Sequence, residues 1–384
     1  MDQNHPPLRL LIAGGGTGGH IFPAEAVLQE LAARDIPVES VWIGEKGGRE
    51  EEVAGKLGIA FTSIQVGKAR QTGEIKDIIL NLIDKGRVLV GLPQAWLKVR
   101  AFRPDVIFAT GGYVCMPTAL AGASFAPVLV HEQTVQIGSA NRLASKRAST
   151  LAVSWNQAVE DAQRKGITAH IVNTGNPVRA SLGHGNAAKG FESFGLDPRM
   201  PLMYVTGGAK GSVPVNKLIS DSLPTLLEHM QIIHQTGRAA ENQDADRLVE
   251  LRETLPPNLR NRYVVRDFIR EELPDVFAAA SLVVGRSGAG TINELANLGK
   301  PSVLIPLVPT SGQEQVRNAA MLADAGAAIS IEQATTTSEQ LAREIITLIS
   351  DQKRLDAMST AARTVANPRG AKNLTDELLK LAGR

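Results

Sequence analysis

Two glycine-rich turns carry the residue types and spacing from which chemistry can be read. The first is Gly14-Gly15-Gly16-Thr17-Gly18-Gly19-His20, directly after the apolar run Leu8–Ala13. Small residues let backbone N–H groups approach a phosphate at a helix N-terminus. Gly14, Gly16 and Gly19 match the spacing of a dinucleotide fingerprint, which also asks for an acidic residue about 20 positions on, at the end of the second strand. Glu39 opens that strand and Glu45 lies just past it, so the match is incomplete. A tight strand-to-helix turn with no ligand satisfies the same pattern. His20 titrates near neutral pH and suits a general base, while a histidine that only hydrogen-bonds its loop fits the spacing equally well.

The second turn is Arg286-Ser287-Gly288-Ala289-Gly290-Thr291, between the apolar Leu282–Gly285 and a helical pattern over Ile292–Leu298. A loop of small residues feeding a helix start can receive a pyrophosphate. Glu294 is expected in the first helical turn, where it can meet ribose hydroxyls or simply complement the helix dipole. Arg286 can pair with phosphate or with a carboxylate. Gln313-Glu314-Gln315 and Asn318 offer polar groups to a sugar, although glutamines in a loop are commonly solvated.

The elements that must position these turns alternate. Apolar runs at Leu8–Ala13, Val38–Gly44, Val106–Ala109, Val128–His131 and Leu151–Ser154 read as strands buried on both faces of a parallel sheet. A helix is expected over Pro23–Arg34, with Pro23 near its start. The pattern restarts at Leu202–Thr206 with Gly207-Gly208-Ala209-Lys210-Gly211, then a helical Val215–His229. Strand candidates follow at Gln231–Thr236, Tyr263–Arg266, Leu282–Gly285 and Ser302–Leu307. This predicts an α/β chain of two doubly wound domains facing each other across a cleft, 1–178 and 179–365, joined near Asn176-Pro177-Val178-Arg179. A terminal helix of about 366–384 is expected to pack back on the first domain.

Composition sets outer limits. With 384 residues, 43% hydrophobic and 21% charged, the chain has globular composition. A net charge of +2 argues against a nucleic-acid partner. Cys115 is the single cysteine, so neither an intrachain disulfide nor a multi-cysteine zinc site is possible. No carboxylate cluster asks for a metal, and no cofactor is expected. No run of ~18 apolar residues suggests a spanning helix, and the N-terminal MDQNHPP lacks a signal-peptide pattern, so the expected setting is the cytoplasm.

Taken in order, these motifs resemble the MurG family of N-acetylglucosaminyltransferases. The residues that carry the resemblance are Gly15-Gly16-Thr17-Gly18-Gly19-His20 with Pro23, Arg103-Pro104-Asp105-Val106 leading to Gly111-Gly112-Tyr113, His131-Glu132-Gln133, Gly175-Asn176-Pro177-Val178-Arg179, Gly207-Gly208 with Gly211, Arg286-Ser287-Gly288-Ala289 with Thr291 and Glu294, and Gln315 with Asn318-Ala319. They cover roughly residues 8 to 330. The resemblance implies a GT-B fold of two Rossmann-like domains. It implies inverting transfer of N-acetylglucosamine from UDP-GlcNAc to the C4 hydroxyl of lipid I (undecaprenyl-pyrophosphoryl-MurNAc-pentapeptide), making lipid II for peptidoglycan. By the same resemblance, Ile269 holds uracil through its backbone, Glu294 the ribose, and Ser287, Gly288, Ala289, Gly290 and Thr291 the diphosphate. Gln315 contacts the sugar and Arg179 assists at the hinge. Thr17, Gly18 and Gly19 serve the acceptor diphosphate, and His20 is the base candidate.

The chain departs from the family pattern at donor-contact positions. Thr134 follows His131-Glu132-Gln133 where Asn is usual, and Ala209-Lys210 replaces Ser-Gln in the second glycine loop. Gly312-Gln313-Glu314-Gln315 is also unusual. These leave open a GT-B transferase for another UDP-sugar or lipid acceptor, or a non-catalytic UDP-sugar-binding paralogue. A Rossmann oxidoreductase is disfavoured by the second glycine-loop domain. The segment Ile75–Phe102 mixes Ile, Leu, Val and Trp96 with Lys76, Lys85, Arg87, Lys98 and Arg100. That suits peripheral binding to an anionic membrane surface, here the cytoplasmic face of the plasma membrane, and equally two amphipathic helices packed on a sheet.

Overall fold

A computed structural model describes residues 6–67, 75–238, 243–308 and 313–384. Residues 1–5 and Gly312, both used above, lie outside these ranges. The chain divides into two compact units, 1–177 with 367–384, and 178–366.

The first unit is a sheet of seven parallel strands: β1 (Leu8–Gly14), β2 (Val38–Gly44), β3 (Ala60–Ser63), β4 (Val106–Gly111), β5 (Val128–Glu132), β6 (Thr150–Val153) and β7 (His170–Asn173), ordered β3-β2-β1-β4-β5-β6-β7. Alternate residues of the apolar runs enter opposite cores. Leu11, Ala13, Ile107, Ala109, Val128 and Val130 pack on one face. Leu8, Leu10, Ile12, Trp42, Phe108 and Leu129 pack on the other, so both faces of the sheet are covered. The terminal helix Gly370–Leu381 inserts Leu374 and Leu378 into that second core, beside Val27 and Leu31 of the helix Gly18–Ala33. Each buried leucine contributes roughly 1.5–3 kcal/mol. An Arg34–Asp376 ion pair at 2.5 Å lies beside the contact.

The second unit has six parallel strands: β8 (Leu202–Thr206), β9 (Gln231–Gln235), β10 (Tyr263–Arg266), β11 (Leu282–Gly285), β12 (Ser302–Leu304) and β13 (Ala328–Ser330), ordered β10-β9-β8-β11-β12-β13. Each sheet therefore reverses its winding once, between β1 and β4 and between β8 and β11. Ligands of such sheets bind outside the strand C-termini at that reversal.

Several element boundaries differ from expectation. The helix after β1 begins at Gly18, not Pro23, so Gly18, Gly19 and His20 form its first turn. Pro23 lacks the N–H that would reach the Gly19 carbonyl, and the helix tolerates the loss of that one bond near its start. The expected helix Val215–His229 is two helices, Val213–Ser220 and Leu223–His229, because Pro224 has no N–H to continue the first. The segment Ile75–Phe102 is one helix rather than two, despite Pro93. β12 stops at Leu304, because Pro306 cannot donate to the ladder. β3, β7 and β13 are outermost strands of three or four residues, too short and too exposed for an apolar run to mark them.

Two histidines are buried in the cores. His131 lies within β5, and His234 in β9 has its Nδ1 2.9 Å from the Tyr263 hydroxyl and its Nε2 3.0 Å from Asn216 Oδ1. Burial pulls both rings down to about 3. In the unfolded chain they take up a proton near 6.5. The stability they support is therefore complete above pH 6.5 and drains away as pH falls toward 3. The melting temperature is expected to drop steadily between pH 7 and 4. A melting temperature that stays level across that range would contradict this.

Candidate functional site

In the first unit the loop after β1 is held from beneath by a buried glutamate. Glu50, on the helix Arg49–Lys56, is fully buried. Its Oε2 accepts the Gly16 amide at 3.1 Å and its Oε1 the Glu45 amide at 2.9 Å. A Cβ on Gly15, Gly44 or Gly48 would stand 2.2, 2.6 or 2.5 Å from its side chain, so these glycines make room for the carboxylate. The amide of Gly16 is thus already engaged, and the fingerprint reading narrows to the amides at the helix start. There Gly18 is open, for a Cβ on it would meet nothing within 4 Å. Thr17 is the N-cap, but its hydroxyl caps no amide; it lies 3.1 Å from His20 Nδ1.

The His20 ring is half-buried in a notch left by two glycines. Its Nδ1 lies 3.1 Å from the Gly15 carbonyl. A Cβ on Gly111 or Gly112 would approach the ring to 2.9 or 2.8 Å, and both glycines have positive φ. A carbonyl only accepts, so Nδ1 carries the proton and the neutral ring keeps its lone pair on Nε2. Burial lowers the ring below its ordinary value near 6.5, with Glu132, the Gly15 carbonyl and Glu50 pulling the other way. At neutral pH the ring is therefore a free base.

Glu132 organises the adjoining loop. It accepts the amides of Gln133 (3.0 Å), Thr134 (3.2 Å) and Gly138 (2.8 Å) and the Asn141 side chain (2.9 Å). Thr134 is buried, its hydroxyl 3.0 Å from Glu132 Oε1 and 2.6 Å from the Gln136 carbonyl. Glu45, weighed above for its place after β2, accepts the Tyr113 hydroxyl at 2.8 Å.

In the second unit Arg286 does not take the carboxylate partner weighed for it among the described residues. It is buried, and no described carboxylate pairs with it. Its guanidinium donates to Ser212 Oγ (2.9 Å) and to the carbonyls of Ile305 (2.8 Å) and Pro306 (3.1 Å), tying the loops after β8 and β12 together. Burial lowers it to about 10, so it still carries its charge at neutral pH. The helix Ala289–Leu298 starts beside it at Gly288, with no side-chain cap and no acidic residue in its first turn. Glu294 therefore lies in the second turn, a correction to the expectation, and too far in to serve the helix dipole. Its carboxylate meets Arg179 at 3.1 Å, and burial raises it against that pairing. A Cβ on Gly288 or Gly290 would meet nothing within 4 Å, so this helix start is open.

The remaining expected donor residues are bound into the loops. Ser287 Oγ donates to the Gln315 carbonyl (2.7 Å), Asn318 holds the Ser287 carbonyl (2.9 Å), and Gln315 Oε1 accepts the Leu307 amide (3.0 Å). Ala209 is exposed, and its carbonyl accepts the Arg238 amide at 3.0 Å. The Ile269 amide donates to Gln235 Oε1 at 2.9 Å. Gln235 also reaches Thr206 Oγ1 at 3.1 Å, so it joins the loops after β8 and β10. Glu50 and Gln235 were not foreseen. The signal for Gln235 was a polar residue closing the apolar strand QIIHQ. Among the described residues, no group of three or more His, Cys, Asp or Glu is placed to hold a metal ion.

Two Rossmann-ordered units, each with an uncapped helix start beside its winding reversal, define a two-domain α/β glycosyltransferase of the GT-B fold. Residues 10–153 match the glycosyltransferase family 28 N-terminal domain and residues 202–374 its C-terminal domain. The chain belongs to the MurG family. It is 31% identical over 96% of its length to the UDP-N-acetylglucosamine–N-acetylmuramyl-(pentapeptide) pyrophosphoryl-undecaprenol N-acetylglucosamine transferase of Halalkalibacterium halodurans, covering 98% of that protein. The enzyme of the same name from Listeria welshimeri is 32% identical, with 97% of this chain and 99% of that protein covered. The crystal structure of Acinetobacter baumannii MurG is 25% identical, with a TM-score of 0.73 over 97% of this chain and 100% of that one.

The packing around Glu50 makes two glycines unequal. Gly15→Ala forces a methyl against the carboxylate and is expected to cost about 1–3 kcal/mol, as overpacking does. Gly18→Ala meets open space and is expected to leave the melting temperature within about a degree of the parent, on the usual scale for unhindered surface changes. Equal melting temperatures for the two variants would contradict the packing described.

Proposed function

We propose that this chain transfers N-acetylglucosamine from UDP-GlcNAc to the C4 hydroxyl of lipid I, releasing UDP and making lipid II. The observation that carries this reading is the near full-length similarity to enzymes bearing that name. In the reaction the acceptor hydroxyl loses its proton to His20 Nε2, and the oxygen attacks the anomeric carbon. The bond from that carbon to the UDP oxygen breaks as the new one forms, so configuration inverts.

The second unit would hold the donor. Arg286, a buried cation with no carboxylate partner among the described residues, and the open helix start at Gly288–Thr291 are suited to the two phosphate charges of the departing UDP. Glu294 would accept the ribose hydroxyls, trading part of its contact with Arg179. The Ile269 amide is taken by Gln235, so uracil would meet the Ile269 carbonyl or displace that side chain. Gln315 and Ala209 border the sugar and diphosphate, and Gly18 and Gly19 with Thr17 would address the acceptor diphosphate. Thr134 would act by shaping the Glu132 loop. Lys210 adds a cation beside Ala209, where the serine hydroxyl of the family pattern is missing.

The helix Ile75–Phe102 supports peripheral attachment. It exposes Leu82, Leu89, Val90 and Leu97, which recur on one side at spacings of seven and eight, while Ala95 and Val99 pack inward. Trp96 stacks edge-on with Phe125 under Arg100. Arg9, Arg100 and Arg103 line a surface cavity of about 820 Å³ at the end of this stripe. No described helix is long and apolar enough to cross a membrane. Apolar side chains bordered by arginines suit the cytoplasmic face of an anionic bilayer.

The test is acceptor-dependent UDP release by the purified protein, comparing UDP-GlcNAc with UDP-Glc and UDP-Gal. His20→Ala is expected to lower kcat by about 10²–10⁴ with donor affinity unchanged, the range for loss of a general base. Glu294→Ala is expected to weaken UDP binding about tenfold or more, from loss of a charged hydrogen bond. Unchanged turnover in the first or unchanged donor affinity in the second removes that assignment. Co-sedimentation with vesicles containing phosphatidylglycerol should be strong at low salt and reduced in Leu89→Glu/Leu97→Glu. No binding at low salt would contradict attachment through this helix.

A further inference from the structure

The function above uses His20 and the glycine loop but gives no role to the buried Glu50. That carboxylate has no cationic partner among the described residues, and its two hydrogen bonds go to backbone amides. One of them, the Gly16 N–H, belongs to the peptide group whose carbonyl, on Gly15, holds the His20 ring. The two ends of a single peptide plane are therefore anchored, the amide end by Glu50 and the carbonyl end by His20. We infer that Glu50 is a positioning residue for His20, acting through the Gly15–Gly16 peptide to set which ring nitrogen is free.

The physics is short range. An amide rotates as a rigid plane, so fixing its N–H fixes the direction of its C=O. A charge-assisted bond to the N–H also polarises the group and strengthens the carbonyl as an acceptor. The geometry has little slack. Gly15, Gly44 and Gly48 each approach the carboxylate too closely to carry a side chain, so the carboxylate cannot shift without moving three backbone segments. The other titratable groups around the ring come from different elements. Glu132 and His131 face it from the end of β5, and Tyr113 packs on Gly16 from the loop after β4. Glu132 lies nearest in electrostatic effect, but its oxygens are committed to its own loop, and none of its bonds reaches the Gly15–Gly16 peptide. The positioning therefore falls to Glu50.

This inference rests on His20 being the base, and its test separates the two ideas. The protein is labelled with ¹⁵N-histidine, and the His20 signals are identified by their absence in His20→Ala. In the parent, His20 should show a protonated Nδ1 and a bare Nε2; the opposite tautomer overturns the proposal without any variant. In Glu50→Gln, which keeps the volume, one carboxylate oxygen becomes an NH₂ that cannot accept an amide. The tautomer should become mixed, the His20 titration should move to lower pH because a neighbouring negative charge is gone, and kcat should fall about tenfold with donor KM unchanged. Glu50→Asp, which restores the charge, should return the titration toward the parent value. A His20 tautomer and titration identical to the parent in folded Glu50→Gln overturns the positioning role. A shifted tautomer with unchanged kcat upholds it and removes His20 as the base.

Discussion

The hydrogen bond from His20 Nδ1 to the Gly15 carbonyl is the interaction on which the rest of the site depends. A carbonyl has no proton to give, so this contact of 3.1 Å favours a protonated Nδ1, with the Thr17 hydroxyl beside it as a second acceptor, and a lone pair on Nε2. Everything nearby serves to make that contact possible. Gly111 and Gly112 adopt positive φ and lack the Cβ that would collide with the ring. The parallel sheet brings their strand next to β1, so both loops emerge on one edge. Burial then disfavours the charged ring, as the proposed role of a base requires.

The two units stabilise their loops with opposite charge. Behind the loops of the first unit stand two buried carboxylates, Glu50 and Glu132, satisfied by amides rather than by cations. Behind those of the second stands a buried guanidinium, Arg286, satisfied by carbonyls and a hydroxyl. A buried charge costs free energy unless hydrogen bonds compensate it, and each of these is compensated. The asymmetry supports the proposal that the doubly charged leaving group is held by the second unit, beside the buried Arg286 guanidinium. In the first, the carboxylates favour proton acceptance by His20 instead.

Much of this was legible in the sequence because parallel sheets write themselves plainly. Runs such as LRLLIA and LVVG are apolar on both faces, and the glycines that follow mark the turns. The family resemblance rested on the order of those turns and agrees with the full-length relatives. What escaped was set by contacts distant in sequence. Nothing local distinguishes Glu50 in REEEVAGK from its neighbours Glu51 and Glu52; only the fold buries it. Arg286 was open to a carboxylate as well as to phosphate, and no local pattern announced its bonds to Ser212 and the carbonyls of Ile305 and Pro306. Glu294 was placed one turn too early because the small residues before it already belong to the helix. The short edge strands β3, β7 and β13 lack the inward-facing surface that would have made them visible.

The most direct test of the account is the product itself. After incubation with UDP-GlcNAc and a soluble lipid I analogue, the anomeric configuration and linkage of the isolated product can be read by NMR. A single displacement by the acceptor C4 oxygen predicts a β-configured N-acetylglucosamine on C4, formed in step with UDP. An α-linked product, or release of UDP that does not depend on the acceptor, would contradict it.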